Sequence, residues 1–331
     1  MQRWLGVCVA AWACCASGAA PAGPHRVIFD LYEARTIHAA AINAFGDLAG
    51  SFQSGICGDG CGFIRHSNGN IENFQYPSSS WTTLIAINAA GTVIGDSSEG
   101  KFVRTPDDRF YVILLPGATF TSPYVIADDG TIVGNYGTSN GRAHGFLYAA
   151  NGTTTTFDPR SSKLTRPVAI NNTDVIAGNF YDADNVVHGF VRQASGKIAR
   201  FDAPGAGGSS GNGTFVTALD NAGTVAGYYT DSALQSHSFW RTAGGKLYTF
   251  DPPGYSQSAA VGVAQNGKKS VIAGNVKDAS GNLAYRRSRN GSVQMFKPSV
   301  IEVDAMGASG EIAGVYQKNP HVSPQGYLLI P

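Results

Sequence analysis

Short apolar runs separated by Gly, Asn, Asp and Pro repeat along the chain. The stretch from Ala169 to Ala206 shows the pattern best, with runs ending at Ile170 and covering Val175–Ala177, Gly189–Val191 and Ile198–Phe201. Apolar runs of this length between turn residues predict strand, turn, strand. The same order of parts recurs seven times.

Each predicted second strand carries a small-residue signature: Leu48-Ala-Gly50, Val93-Ile-Gly95, Ile132-Val-Gly134, Ile176-Ala-Gly178, Val225-Ala-Gly227, Ile272-Ala-Gly274 and Ile312-Ala-Gly314. The glycines lie 39 to 49 residues apart. A tight turn precedes the signature, as in Asn43-Ala-Phe-Gly46, Asn88-Ala-Ala-Gly91, Asn171-Asn-Thr-Asp174 and Asp220-Asn-Ala-Gly223. The Asx side chain caps such a turn and the closing residue takes the left-handed conformation. Gly130, Gly267 and Gly310 keep the glycine without the leading Asn.

The predicted third and fourth strands keep a fixed spacing. Phe63/Phe74, Phe102/Ile113, Phe146/Phe157, Phe190/Phe201, Phe239/Phe250 and Tyr285/Phe296 are each 11 residues apart. Constant spacing across a hairpin implies constant register, which a buried aromatic face would enforce. Four short strands per repeat, at a period in the forties, predict propeller blades.

The last repeat stops after its third strand, Gly326-Tyr-Leu-Leu-Ile330. Val27-Ile-Phe29-Asp30, near the other end, reads like Ala199-Arg-Phe201-Asp202. The expected fold is therefore all-β, a seven-bladed β-propeller of four-stranded blades whose ring is closed by the N-terminal strand. It forms one domain over residues 26–331. Closure would remove the open sheet edges of a linear stack.

Composition narrows the setting. The chain is 43% hydrophobic and 14% charged, and its 42 glycines and 15 prolines suit an all-β chain rich in tight turns. A formal charge of +1, with no run of Lys or Arg, argues against nucleic acid or an anionic membrane as partner. Residues 1–20 read as a signal peptide: Arg3, then an apolar stretch from Trp4 to Ala16 too short to span a bilayer, then small residues. The protein is thus expected to be secreted, extracellular or periplasmic, without a membrane span. Cys8, Cys14 and Cys15 would leave with that segment, and a lipid-anchored cysteine is disfavoured by Trp12. Cys57 and Cys61 share one loop and predict a local disulfide. A metal there would need more ligands than the nearby Asp59 offers.

Three repeats place His before the strand-three aromatic and Asp after the strand-four one: His144/Asp158, His188/Asp202 and His237/Asp251, each 14 apart. Their midpoints fall in the hairpin turn, so each His should face its Asp. Repeats without the His also lack the Asp: Cys61/Gln75, Gly100/Leu114 and Leu283/Lys297. Acid–base dyads or a metal ring are the functional alternatives. Blades roughly 10 Å apart cannot bring nitrogens to about 2.1 Å from one zinc. A hydrogen-bonded structural latch is the expectation, with Gln325 opposite Asp30 as its equivalent in the closing blade.

The His-Gly-Phe of 144–146 and 188–190, the His-Ser-Phe of 237–239, the Phe-Asp-Ala-Pro-Gly-Ala of 201–206 and the Pro-Gly-Ala of 116–118 resemble the bacterial extracellular HAF repeats. The resemblance covers nearly all of the chain after the leader. It implies export and a propeller-like fold, and it brings no catalytic residues with it.

Connections alternate between the two faces of a four-stranded blade. The uneven second–third and fourth–first loops share one face, where function is expected. Trp81, Tyr124, Arg142, Arg160, Arg166, Tyr181, Tyr229 and Tyr255 are the candidate ligand-binding residues there, since aromatics beside polar groups suit sugar or peptide recognition. Gly207-Gly-Ser209-Ser-Gly211 matches a nucleophile-elbow pattern but lacks the strand-to-helix turn. Asp182, Asp231 and Asp278 recur in the second–third loops and read as Asx turns rather than calcium ligands. No catalytic residue, metal or cofactor is assigned. The expected role is a recognition or surface scaffold for carbohydrate or protein; the alternative is a hydrolase or lyase acting on an extracellular polysaccharide.

Overall fold

The computed structural model describes residues 25–331 except 32, 56, 267–268, 279–280, 289, 297–299 and 318–322. The expected leader at 1–20, Gly267 and Lys297 lie outside the described residues. Twenty-eight strands and no helix occur among those described, so no helix is long and apolar enough to cross a membrane.

Successive strands pair antiparallel in sets of four. The first set comprises Thr36–Ile42, Leu48–Ser54, Gly58–Arg65 and Ile71–Phe74. Six further units follow, with first strands Thr82–Ile87, Phe120–Ile126, Leu164–Ile170, Gly213–Leu219, Ser258–Asn266 and Val300–Met306. In the last unit His25–Phe29 pairs antiparallel with Gln325–Ile330, with Phe29 opposite Gly326 and Val27 opposite Leu328. Each first strand touches the first strand of the next unit, and Val300–Met306 touches Thr36–Ile42.

The sheets are not all separate, as the sequence had suggested. Units three to five form one twelve-stranded sheet, joined through single parallel bridges at Ala143–Leu164 and Val187–Gly213. At this rim the third strand of one unit comes close enough to the next first strand for backbone bonding, with Ala143 N–H donating to Lys163 and Val187 N–H to Asn212.

The signature glycines are steric necessities. A Cβ on Gly178 would sit 2.8 Å from the Phe190 ring and 2.5 Å from the Arg166 carbonyl. Phe63, Phe102, Phe146 and Phe239 lie over Gly50, Gly95, Gly134 and Gly227 in the same way. The strand-three ring is thereby driven into the sheet and fully buried.

The 11-residue aromatic pairs are not cross-strand partners. Phe157 faces Gly145 and Phe201 faces Gly189, so the paired aromatics point to opposite faces of their sheet. Each strand-four ring packs instead on the strand-three ring of the following unit: Phe157–Phe190 at 6.1 Å, Phe201–Phe239 at 6.0 Å and Phe250–Tyr285 at 6.0 Å. An arginine two residues after the strand-three aromatic covers the same ring. Arg192 lies 5.1 Å from Phe157, Arg241 5.0 Å from Phe201 and Arg287 4.7 Å from Phe250. The aromatic contacts that accompany this register lie between units, in addition to the ladder within each hairpin.

Candidate functional site

The first–second pairing slips by one residue at the same place in every unit. The residues left unpaired are Ala40, Ile85, Tyr124, Val168, Thr217, Val261 and Asp304. A bulge bends its strand and re-aims the extra side chain. All seven of these residues line one cavity of about 370 Å³, surrounded by the first strands of all seven units.

The bulge residues are apolar except for Tyr124, Thr217 and Asp304. Thr217 Oγ1 donates to the Ala260 carbonyl of the next unit at 2.9 Å. Asp304 Oδ2 accepts the Ala39 N–H at 2.9 Å, tying the last unit to the first. Burial pushes the Asp304 carboxyl up to about 7, the Ala39 N–H opposes this and the neighbouring Glu302 charge adds to it.

At the turn end of the cavity, asparagines do more than cap their own turns. The Asn43, Asn88 and Asn171 Oδ1 atoms accept from Asp47, Thr92 and Val175 N–H. Their Nδ2 atoms donate to the carbonyls of Asn88, Ala127 and Asp220 in the next unit, each at 3.1 Å. The turn signature is therefore also an inter-unit clamp.

Toward the entering ends of the first strands lies a cluster of rings and cations. The Arg166 guanidinium is 5.1 Å from the Tyr124 ring, and Lys101 Nζ is 5.6 Å from it. Lys101 also pairs with Asp96 at 2.7 Å. Arg166 is exposed and, among the described residues, has no carboxylate partner. Tyr228 stacks on Phe215 with centroids 4.9 Å apart. Burial and the neighbouring Tyr181 push its phenol up, while Arg166 pulls it down.

The structure thus brings together Tyr124, Arg166 and Tyr181 of the eight sequence candidates and adds Phe215, Tyr228 and Lys101. Tyr124 lies in the cavity wall rather than in a loop. The others are dispersed. Arg142 donates to the Ser162 carbonyl at 2.6 Å, and the Arg160 carbonyl accepts from Arg200. Tyr229 packs on His237 at 5.1 Å, and Trp81 and Tyr255 are half-buried.

Each latch histidine faces its aspartate: Nδ1 of His144, His188 and His237 lies 2.5, 2.8 and 2.8 Å from Asp158, Asp202 and Asp251. On the far side, His188 Nε2 is 3.4 Å from Asp182 and His237 Nε2 is 3.6 Å from Asp231. Asp182 and Asp231 also close Asx turns, accepting from Val186 and Gln235 N–H. Asp231 is held low, first by the Gln235 N–H. Ser258 Oγ, from the next unit, donates to Asp251 at 2.7 Å, so this latch also spans a junction. Gln325 Nε2 donates to Asp30 at 2.5 Å in the equivalent place. Cys57 and Cys61 are joined as a disulfide. Among the described residues no three His, Cys, Asp or Glu side chains converge as a metal site.

The solved structures most informative about this arrangement share little sequence with it. Virginiamycin B lyase from Staphylococcus aureus superposes with a TM-score of 0.59 at 12% identity, covering 93% of this chain and 99% of the lyase. The β-propeller domain of the Trilobed protease from Pyrococcus furiosus, described as having an open velcro topology, gives 0.53 at 10% identity, over 88% of this chain and 95% of that domain. The fold is all-β and propeller-like. TolB from Acinetobacter baumannii agrees, with 0.52 at 12% identity over 75% of this chain and 62% of TolB. No family model matches the chain. No curated protein matches it in sequence.

Proposed function

We propose that the chain is a secreted seven-bladed β-propeller of the HAF-repeat kind, closed by its N-terminal strand and acting as a recognition module for carbohydrate. Closure is supported by the pairing of His25–Phe29 with Gln325–Ile330 and by the contact of the last first strand with the first. The observation that carries the recognition reading is Arg166, an exposed cation against the Tyr124 ring and near Tyr228, which Tyr181 also neighbours. Aromatic faces take the apolar face of a sugar ring, and a guanidinium pairs bidentately with a uronate or sulfate. Side chains held on strands keep such a site rigid before binding, which lowers the entropy cost of association.

A glycan array over neutral and acidic oligosaccharides tests this, run beside an assay for released reducing ends. The expected result is binding of acidic glycans without turnover, lost in Arg166→Ala. Absence of glycan binding, or binding unchanged in that variant, overturns it. One observation favours the hydrolase reading: Asp304, with its raised carboxyl, stands beside Glu302, and a raised carboxyl is what a general acid needs. Release of reducing ends that disappears in Asp304→Asn would establish that reading instead.

A further inference from the structure

Tyr124 is shared between the axial cavity and the site at Arg166, but the aliphatic wall and Asp304 carry chemistry that carbohydrate recognition at Arg166 does not use. The cavity's volume, about 370 Å³, falls within the range of about 300–1,000 Å³ typical of small-molecule sites. Aliphatic side chains from Ala40, Ile85, Val168 and Val261 form much of the wall, and Tyr124 supplies one aromatic ring. Among the described residues the lining includes Asp128, Asp220 and Asp304 and no Lys, Arg or His.

Asp220 is committed to the protein on both sides, and Asp128 is exposed to water. Asp128 Oδ1 accepts the Ala89 N–H, and Asp220 accepts from Thr224 N–H and Ser270 Oγ. Asp304 is different: the Ala39 N–H engages Oδ2 alone. A half-buried carboxylate with one backbone donor and, among the described residues, no cation partner is under-compensated. An aliphatic wall, one aromatic face and one under-compensated carboxylate are together the recognition set for an ammonium group on an apolar body.

We propose that the axial cavity is a binding site for a small organic amine whose ammonium pairs with Asp304 and whose apolar part fills the ring of bulge side chains. Binding replaces the missing counter-charge, so the amine is taken up by the ionised carboxylate. At a pH below about 7 it must displace the Asp304 proton to solvent. Among the described residues, the groups packed around Asp304 do not supply that counter-charge. Its own strand offers Glu302, of like sign. The third strand of its unit offers Tyr327, whose buried Oη has no partner among the described residues and whose phenol is pushed up by burial and by the Asp304 charge. Arg26, on the N-terminal strand, acts on that phenol. Among the neighbouring first strands, Thr36–Ile42 carries only His38 and Ser258–Asn266 nothing titratable.

The test is calorimetric titration of the full chain with benzylamine and with its neutral counterpart benzyl alcohol, at pH 6 and pH 8. The expected result is one molecule bound per chain, with benzylamine at least about tenfold tighter than the alcohol. Benzylamine should also bind about tenfold tighter at pH 8 than at pH 6, with a buffer-dependent enthalpy at pH 6 that reports proton release. Asp304→Asn, which keeps an acceptor for Ala39, should lose the preference for the amine and its pH dependence while retaining its glycan-array profile, so this proposal and the one for Arg166 fail separately. Ala40→Trp, which fills the cavity, should abolish binding and serves if the Asn variant does not fold. Equal binding of amine and alcohol, no saturable binding of either, or benzylamine binding unchanged in Asp304→Asn overturns the proposal.

Discussion

The Phe29 and Phe63 rings meet at 5.9 Å, although 34 residues separate them and they belong to the last and first units. Arg65 lies 5.5 Å above the same Phe29 ring. This is the inter-unit packing seen in Phe157–Phe190 with Arg192. The junction between the chain ends therefore reproduces the internal ones.

Phe29 is 8% exposed, and its removal would leave a cavity at that junction. Phe29→Ala should cost about 3–5 kcal/mol. Phe45, 68% exposed at a turn, should lose no more than about 0.5 kcal/mol on the same change. Urea unfolding followed by tryptophan fluorescence compares the two, and equal effects would mean the junction contributes nothing.

Gly178→Ala places a Cβ against the Arg166 carbonyl, the Pro167 Cα and the Phe190 ring, and at least two of these contacts are with backbone that cannot yield cheaply. The expected loss is about 1–3 kcal/mol or more. Gly208→Ala meets nothing within 4 Å and should be neutral. Thermal unfolding of both variants reads the difference.

These contacts also show how far the sequence could be read. The seven repeats, the opposition of His188 to Asp202 and the pairing of Phe29 with the last strand all follow from spacing, because antiparallel register maps sequence symmetry directly onto space. The inter-unit contacts do not, since nothing local marks Arg192 as covering a ring 35 residues earlier. The recurrence of Arg two residues after the strand-three aromatic was a visible signal for it. The bulges leave no residue-type mark, as Ala40, Tyr124 and Asp304 share a backbone place and no chemistry. That is why Asp304, exposed-looking by type, was missed, and why Tyr124 was expected in a loop.

Asp304 should make stability fall as pH rises. Its carboxyl ordinarily titrates at 3.8 and in the folded chain at about 7. The folded state therefore holds its proton where the unfolded state has lost it. The stabilisation is present at low pH and disappears as pH climbs from about 4 to about 7, up to about 4 kcal/mol at about 1.4 kcal/mol per pH unit. Asp304→Asn lacks this titration, so its stability relative to the parent should rise across that window. A pH-independent difference would contradict the burial argument.

The His188–Asp202 latch is expected to be structural. A double-mutant cycle on His188→Ala and Asp202→Ala should give a coupling of about 0.2–1 kcal/mol, since Asp202 is 56% exposed. Neither change should alter glycan binding. Coupling near zero would mean the pair makes no net contribution, and loss of binding with stability intact would make it part of a site.

The account depends most on the two chain ends sharing one sheet. Val27 and Leu328 are direct partners across the antiparallel pair, so the double variant Val27→Cys, Leu328→Cys measures this most directly. On oxidation the account predicts a disulfide in the monomer, seen by mass spectrometry as the loss of two hydrogens and of both reactive thiols, with a raised unfolding temperature. Two freely alkylated thiols under the same conditions, in a protein that remains folded, would contradict it.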